Sequence, residues 1–198
     1  MARQRAFDKE EALEEALLMF WRHGYEATSV AELTAAMGIR PPSLYAAFGD
    51  KRQLFEEAVR RYQETYGAFT TRALAEEPTG RAAIERVLRE SAAEYASDSH
   101  PAGCLIITAA VNCGPESAEV QELLRGFREA AKGALKERID EDVAAGLLPA
   151  HTDTEGLATF YAAVIQGMST QSRDGAPAAA LLHTAALAMS AWPSTPPP

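Results

Sequence analysis

Residues 28–51 read TSVAELTAAMGIRPPSLYAAFGDK. Ser29 followed three residues later by Glu32 has the form of a capping box, in which hydroxyl and carboxylate each take an orphan backbone N–H. Val30, Leu33 and Met37 then fall on one helical face, and Gly38 ends the short helix. Pro41 and Pro42 fit only the first turn of whatever follows, because each fixes φ and lacks an N–H. The spacing predicts a second short helix from Pro42 to about Phe48, with Leu44 and Phe48 facing inward. Two such helices joined at Gly38, a residue free to take positive φ, have helix-turn-helix geometry, in which the second helix enters the DNA major groove.

The polar residues of this segment fit that task. Phosphates require donors and cations at the groove rims, whereas the reading helix requires small or polar residues near its start. Thr28 and Ser29 stand at the N-terminus of the supporting helix, where a hydroxyl and free N–H groups can hold a phosphate. Arg40, Pro41, Pro42 and Ser43 open the reading helix, Tyr45 adds a phenolic OH one turn on, and Lys51 begins the next helix near the other rim. These eight are the candidate DNA contacts.

Working outward, Leu13, Ala16, Leu17, Phe20 and Gly24 form the stripe of an amphipathic helix opened by Asp8 with Glu11. Asp50 and Gln53 cap a longer helix expected to run to about Glu77, before Pro78, Thr79 and Gly80. Further helices are expected at about 81–97, 104–113, 116–145, 153–172 and 177–191, the 104–113 helix being apolar nearly all round and hence central. No segment alternates as a strand does. The reading is all-α: a three-helix helix-turn-helix domain over 1–50, a larger helical ligand-binding and dimerisation domain over 51–192, and a Pro-rich tail, 193–198, expected to be disordered.

Composition narrows the function classes. The 198 residues are 47% hydrophobic and carry a net charge of −9, so a polybasic coat is excluded. The acid is uneven: 9 Lys and Arg face 11 Asp and Glu in residues 1–66, but 10 face 17 beyond them. Arg3, Arg5, Arg40, Lys51 and Arg52 can therefore form a local basic face while Glu10, Glu14 and Glu15 point away. Cys104 and Cys113, nine apart, fall on opposite sides of a helix (about 900° round its axis) and are expected unpaired. The acidic start reads as no signal peptide, and the longest apolar run, Cys104 to Val111, is too short to span a membrane. A soluble, reduced, cytoplasmic protein is expected. His23, His100, His151 and His183 lack metal-site spacing, no phosphate-binding glycine motif appears, and no nucleophilic triad can be argued, so neither enzyme nor cofactor is expected.

The segment resembles the N-terminal domain of the TetR family of bacterial transcriptional regulators. The resemblance rests on Phe20, Gly24, Thr28, Ser29, Val30, Ile39, Leu44, Tyr45, Phe48, Lys51 and Leu54, without a gap, over about the first 60 residues. It implies an all-helical homodimer that binds double-stranded operator DNA and carries a variable C-terminal domain for a small-molecule effector. Two departures stand out: Ala46 and Ala47 replace an aromatic and a histidine common in the family, and Pro41 and Pro42 replace a frequent Lys and Gly. Readout is thereby thrown onto Arg40, Ser43 and the backbone.

For the C-terminal domain, patterning offers Tyr62, Tyr66, Phe69, Leu88, Tyr95, Ile107, Val111, Phe127 and Phe160 as candidate walls of an apolar, aromatic pocket. The last two helices offer Leu157, Tyr161, Val164, Ile165 and Met168, with Leu181, Leu182, Ala185 and Met189, as the two faces of an intermolecular four-helix bundle. A ligand wedged between Tyr62, Tyr66 and Phe69 and the 104–111 helix is expected to displace the fourth helix and respace the two reading heads, giving repression relieved by ligand. The alternative reading, an α-helical enzyme or small-molecule carrier, predicts turnover or cofactor retention and no affinity for the chain's own promoter.

Overall fold

The computed structural model describes residues 7–193, so Arg3, Arg5 and residues 194–198 of the tail lie outside the described residues. The helices are α1 (Lys9–His23), α2 (Val30–Ala36), α3 (Pro41–Phe48), α4 (Lys51–Glu64), α5 (Ala68–Glu76), α6 (Gly80–Tyr95), α7 (Leu105–Thr108), α8 (Ala118–Ala144), α9 (Thr154–Arg173) and α10 (Ala178–Met189), with one 3₁₀ turn at Pro115–Ser117. No strand occurs among the described residues.

Local chemistry sets the boundaries of the first four helices. The Asp8 carboxylate accepts the N–H groups of Glu10 and Glu11 at 2.9 and 3.2 Å. The Ser29–Glu32 and Asp50–Gln53 capping boxes both close reciprocally. Gly38 takes φ +65°, the left-handed turn that aims α3 across α2. Leu17, Phe20, Leu33, Leu44, Leu54 and Phe55 are fully buried where α1 to α4 meet, forming the core of a small head.

The body is held by packing over longer distances. α6 lies against α5, α8, α9 and α10, burying Ile84, Val87 and Leu88. Its N-terminus is capped from α8: the buried Asp142 carboxylate accepts the N–H groups of Gly80 and Arg81 at 2.8 and 3.0 Å. The two cores merge at Trp21, whose ring meets Tyr62 edge-on at 4.9 Å and stacks on His100 at 4.5 Å. Arg173, at the end of α9, donates to the Trp21 carbonyl at the end of α1.

Two helices differ from the expectation. The predicted 51–77 helix is broken at Thr65, whose φ of −115° and ψ of −93° are not helical. There the Thr65 hydroxyl donates to the Arg61 carbonyl and the Gly67 N–H turns back to that of Tyr62. The predicted 104–113 helix is one turn long. The Ala109 carbonyl, which a continuing helix would use for Cys113, instead accepts the Tyr25 N–H at 2.7 Å, and the chain leaves the helix. Both cysteines are free thiols.

Candidate nucleic-acid interface and effector cavity

The head presents α3 outward. Leu44 and Phe48 are buried beneath it, while Arg40, Pro41, Pro42, Tyr45 and Ala46 are exposed, Tyr45 to 52%. Arg40 has no ion pair among the described residues, so its guanidinium is free for an outside acceptor. Ser43 is half-buried and its N–H closes the first turn onto the Arg40 carbonyl at 2.9 Å. With prolines at the first two helical positions, the start of α3 offers no backbone donors there, and contact falls to side chains.

Three of the eight candidate contacts are otherwise engaged. Thr28 is 1% exposed and its hydroxyl donates to the Gly24 carbonyl, so it secures the α1–α2 turn instead of facing outward. Ser29 is exposed, but its hydroxyl and N–H both point at the Glu32 carboxylate, at 2.7 and 2.8 Å. Those donors hold the Glu32 carboxyl below its usual range, so a carboxylate stands in the first turn of α2, the end expected to face a phosphate. Lys51 lies 4.2 Å over the Tyr25 ring, half-buried, and burial lowers the pKa of its ammonium, with Glu26 opposing. Arg52, expected in the basic face, pairs with Glu56 and Glu119. Glu10 and Glu14 both pair with Arg61.

Behind α4 lies a cavity of about 320 Å³, walled by α4 to α9. Tyr62, Phe69, Tyr95, Ile107 and Phe127 line it, joined by Cys104 and Leu135. The Tyr62 hydroxyl donates to the Cys104 sulfur at 3.2 Å, and burial pushes both groups' pKa values up, so both stay protonated at neutral pH. The Cys104 N–H in turn donates to the Ser169 hydroxyl at 2.9 Å.

Four expected pocket residues are elsewhere. Tyr66 sits in the α4–α5 bend, off the Tyr62 face, against Trp21 and His100, and its hydroxyl donates to Glu14 at 2.6 Å. Leu88 is fully buried core, away from the cavity at the Tyr95 end of α6. Val111 is 69% exposed because α7 has ended before it. Phe160 is 39% exposed, since it stands about 200° round α9 from the cavity-lining Ala162.

The expected dimer residues also divide. Tyr161, Met168, Leu181 and Ala185 are buried inside the protomer, and Ile165 lines the cavity. Leu157, Val164 and Met189 are half-buried, and Leu182 is 42% exposed. The large hydrophobics left open on these helices are Leu182, from the expected set, together with Phe160 and Leu187, half of the six exposed among the described residues. Gly167 sits on the same α9 stripe, with open space beside it.

Some participants gave little signal in the sequence. Tyr25 joins head to body through its N–H and carries Lys51 on its ring. Arg128 and Lys132 line the cavity, although in sequence they read as the solvated side of a charged helix.

Residues 12–58 match the family described as bacterial regulatory proteins, tetR family, and residues 80–186 match the tetracyclin repressor-like C-terminal domain. The chain is 33% identical to the HTH-type transcriptional repressor ComR of Escherichia coli (strain K12) over 192 residues, covering 96% of this chain and 91% of ComR. It is 31% identical to the repressor BdcR of the same organism, over 94% of this chain and 89% of BdcR. Among solved structures, a cysteine mutant of the TetR family transcriptional regulator CifR, complexed with 26bp double-strand operator DNA, superposes with a TM-score of 0.92 at 44% identity, covering 97% of this chain and 100% of that one.

Proposed function

The chain belongs to the TetR family of bacterial transcriptional regulators, and on that premise we propose that it is a homodimeric repressor released from its operator by a hydrophobic or aromatic small molecule. It is a DNA-binding regulator and not an enzyme. The observation that carries the finer reading is the pairing of an outward α3, tipped by an unpaired Arg40, with a cavity set directly behind α4, the helix that packs along α1. Arg40 and Tyr45 contact the operator, with Ser43 at the edge of that face, while Lys51 leaves its ring to meet a phosphate. The dimer forms through the open stripe of α9 and α10, as an isologous contact of Phe160, Leu182 and Leu187. No helix among the described residues is long and apolar enough to cross a membrane, in keeping with a cytoplasmic regulator.

For the ligand to release DNA a hundredfold it must favour the DNA-free form by about 2.7 kcal/mol, within the usual range of allosteric coupling. The head is tied to the body in the right place. Tyr25 donates to Ala109, Ser117 donates to Glu26 at 2.7 Å, and Arg52 reaches Glu119 at 3.4 Å, so movement of the 109–119 segment moves the head. A gel shift on DNA from upstream of the chain's own coding sequence tests the reading. A saturable shift outcompeting scrambled DNA is expected, and no shift at low salt refutes it.

A further inference from the structure

The cavity is mainly apolar, with the neutral polar side chains of Gln63, Thr70, Thr71 and Gln166 in its walls and its charge confined to one side. Arg128 and Lys132, one turn apart on α8, both line it, and no Asp or Glu does. Lys132 is already neutralised, 2.8 Å from Glu129 and 3.7 Å from Glu155. Arg128 has no carboxylate within ion-pair distance among the described residues. It is half-buried, and among the described residues its side chain's one hydrogen bond runs from Nη1 to the Ile106 carbonyl at 2.9 Å. A guanidinium carries five N–H donors in a planar fork matched to a carboxylate. A partly desolvated cation with donors to spare, facing phenyl and aliphatic walls, is a binding group for an anion.

We propose that the effector is a compact organic acid, its carboxylate on the Arg128 fork and its aromatic or branched apolar body among Tyr62, Phe69, Tyr95 and Phe127. This rests on the reading of the cavity as the effector site. A volume of about 320 Å³ lies at the small end of ligand pockets, which suits a compact molecule such as one ring with a short chain. The same contact supplies the signal. The carboxylate competes with the Ile106 carbonyl for Arg128 and so loosens α7. Three residues on, Ala109 holds the Tyr25 N–H, and a Cβ at Gly24 would come within 3.2 Å of the same carbonyl oxygen, so the joint is tight. Loosening α7 therefore shifts the seat of Tyr25 and, through it, the entry to α2.

The test uses the full chain with 4-phenylbutyrate and its neutral amide, 4-phenylbutyramide, followed by calorimetry and by anisotropy of the labelled upstream DNA. The acid is expected to bind about tenfold more tightly than the amide, and it alone to weaken DNA binding. Arg128→Gln is expected to abolish the preference, whereas Lys132→Gln keeps it. If Arg128→Gln fails to fold by circular dichroism, Arg128→Lys, which keeps the charge without the fork, is expected to retain a reduced preference. Equal affinity for acid and amide, saturable binding of neither, or a preference that survives Arg128→Gln overturns the proposal. A chain that binds its upstream DNA but treats the pair alike refutes only this inference. A chain that prefers the acid yet ignores the DNA refutes the repressor reading instead.

Discussion

In the head, α2 and α3 are seven and eight residues long, α2 opened by the Ser29–Glu32 capping box and α3 by Pro41 and Pro42, with Gly38 and Gly49 following them; in the body, α8 and α9 run for 27 and 20 residues and are oriented by what they touch. A helix of two turns cannot persist on propensity and must declare its ends chemically. Ser29, Glu32, Gly38, Pro41 and Pro42 do so within a span of fourteen residues. A long helix needs no such signals, and its apolar residues can point to a core, a cavity or a partner without any change in spacing. On the proposed reading the head presents its functional face outward, whereas the body holds its candidate site in a cavity between α4 and α9. The difference teaches that local chemistry fixes a reading surface, while a binding cavity is defined only by non-local packing.

The sharpest way to break the comparison is at the junction. Phe55 is fully buried and meets Phe20 and Tyr25 edge-on at 5.0 and 5.1 Å. Phe55→Ala is expected to cost about 3–5 kcal/mol in urea unfolding, and to lower the head's amide-exchange protection more than that of α8.

The open stripe gives the next effect. Leu187→Glu combined with Leu182→Glu is expected to halve the mass seen by light scattering at micromolar concentration, leaving the protomer's helicity unchanged. Tyr161→Phe at a buried site is expected to leave the mass unaltered.

That contrast shows what was legible. The two capping boxes, the Gly38 turn and the inward Leu44 and Phe48 could all be read because each depends on residues within one or two turns. Tyr161 and Phe160 are neighbours in sequence, yet one is buried and the other 39% exposed, and only the packing of α6 and α10 on α9 decides which. Val111 went astray for a related reason: the bond that ends α7 comes from Tyr25, more than eighty residues earlier. Thr28 has the right type for a phosphate contact, but its hydroxyl is taken by a carbonyl four residues back.

Smaller effects sharpen the account of the reading surface. Arg40→Ala is expected to cost about 1–3 kcal/mol in operator affinity and to change base preference, as a selection on randomised DNA would show. Glu32→Gln keeps the capping geometry but removes a negative charge from the phosphate approach. It is expected to raise affinity a few-fold for all sequences alike, with base preference unchanged, by anisotropy at constant salt.

The smallest effect near neutrality is the pH dependence of the body. Tyr66 and Tyr161 are each raised from 10.0 to about 12, chiefly by burial, with Glu14 adding to the shift at Tyr66. Their folded pKa values exceed the unfolded ones, so the stability they contribute is complete below pH 10 and lost as pH rises through about 12. Denaturant midpoints from these groups are expected to be flat between neutrality and pH 9 and to fall above 10, with phenolate absorbance rising in step.

The central claim, that two copies of an outward α3 read one duplex, is tested most directly by hydroxyl-radical footprinting on the chain's own upstream DNA. The account predicts two protected patches on one face of the duplex, centred about one helical turn or a small multiple of it apart and weakened together by Arg40→Ala. A single unpaired patch, or protection unchanged by Arg40→Ala, would contradict it.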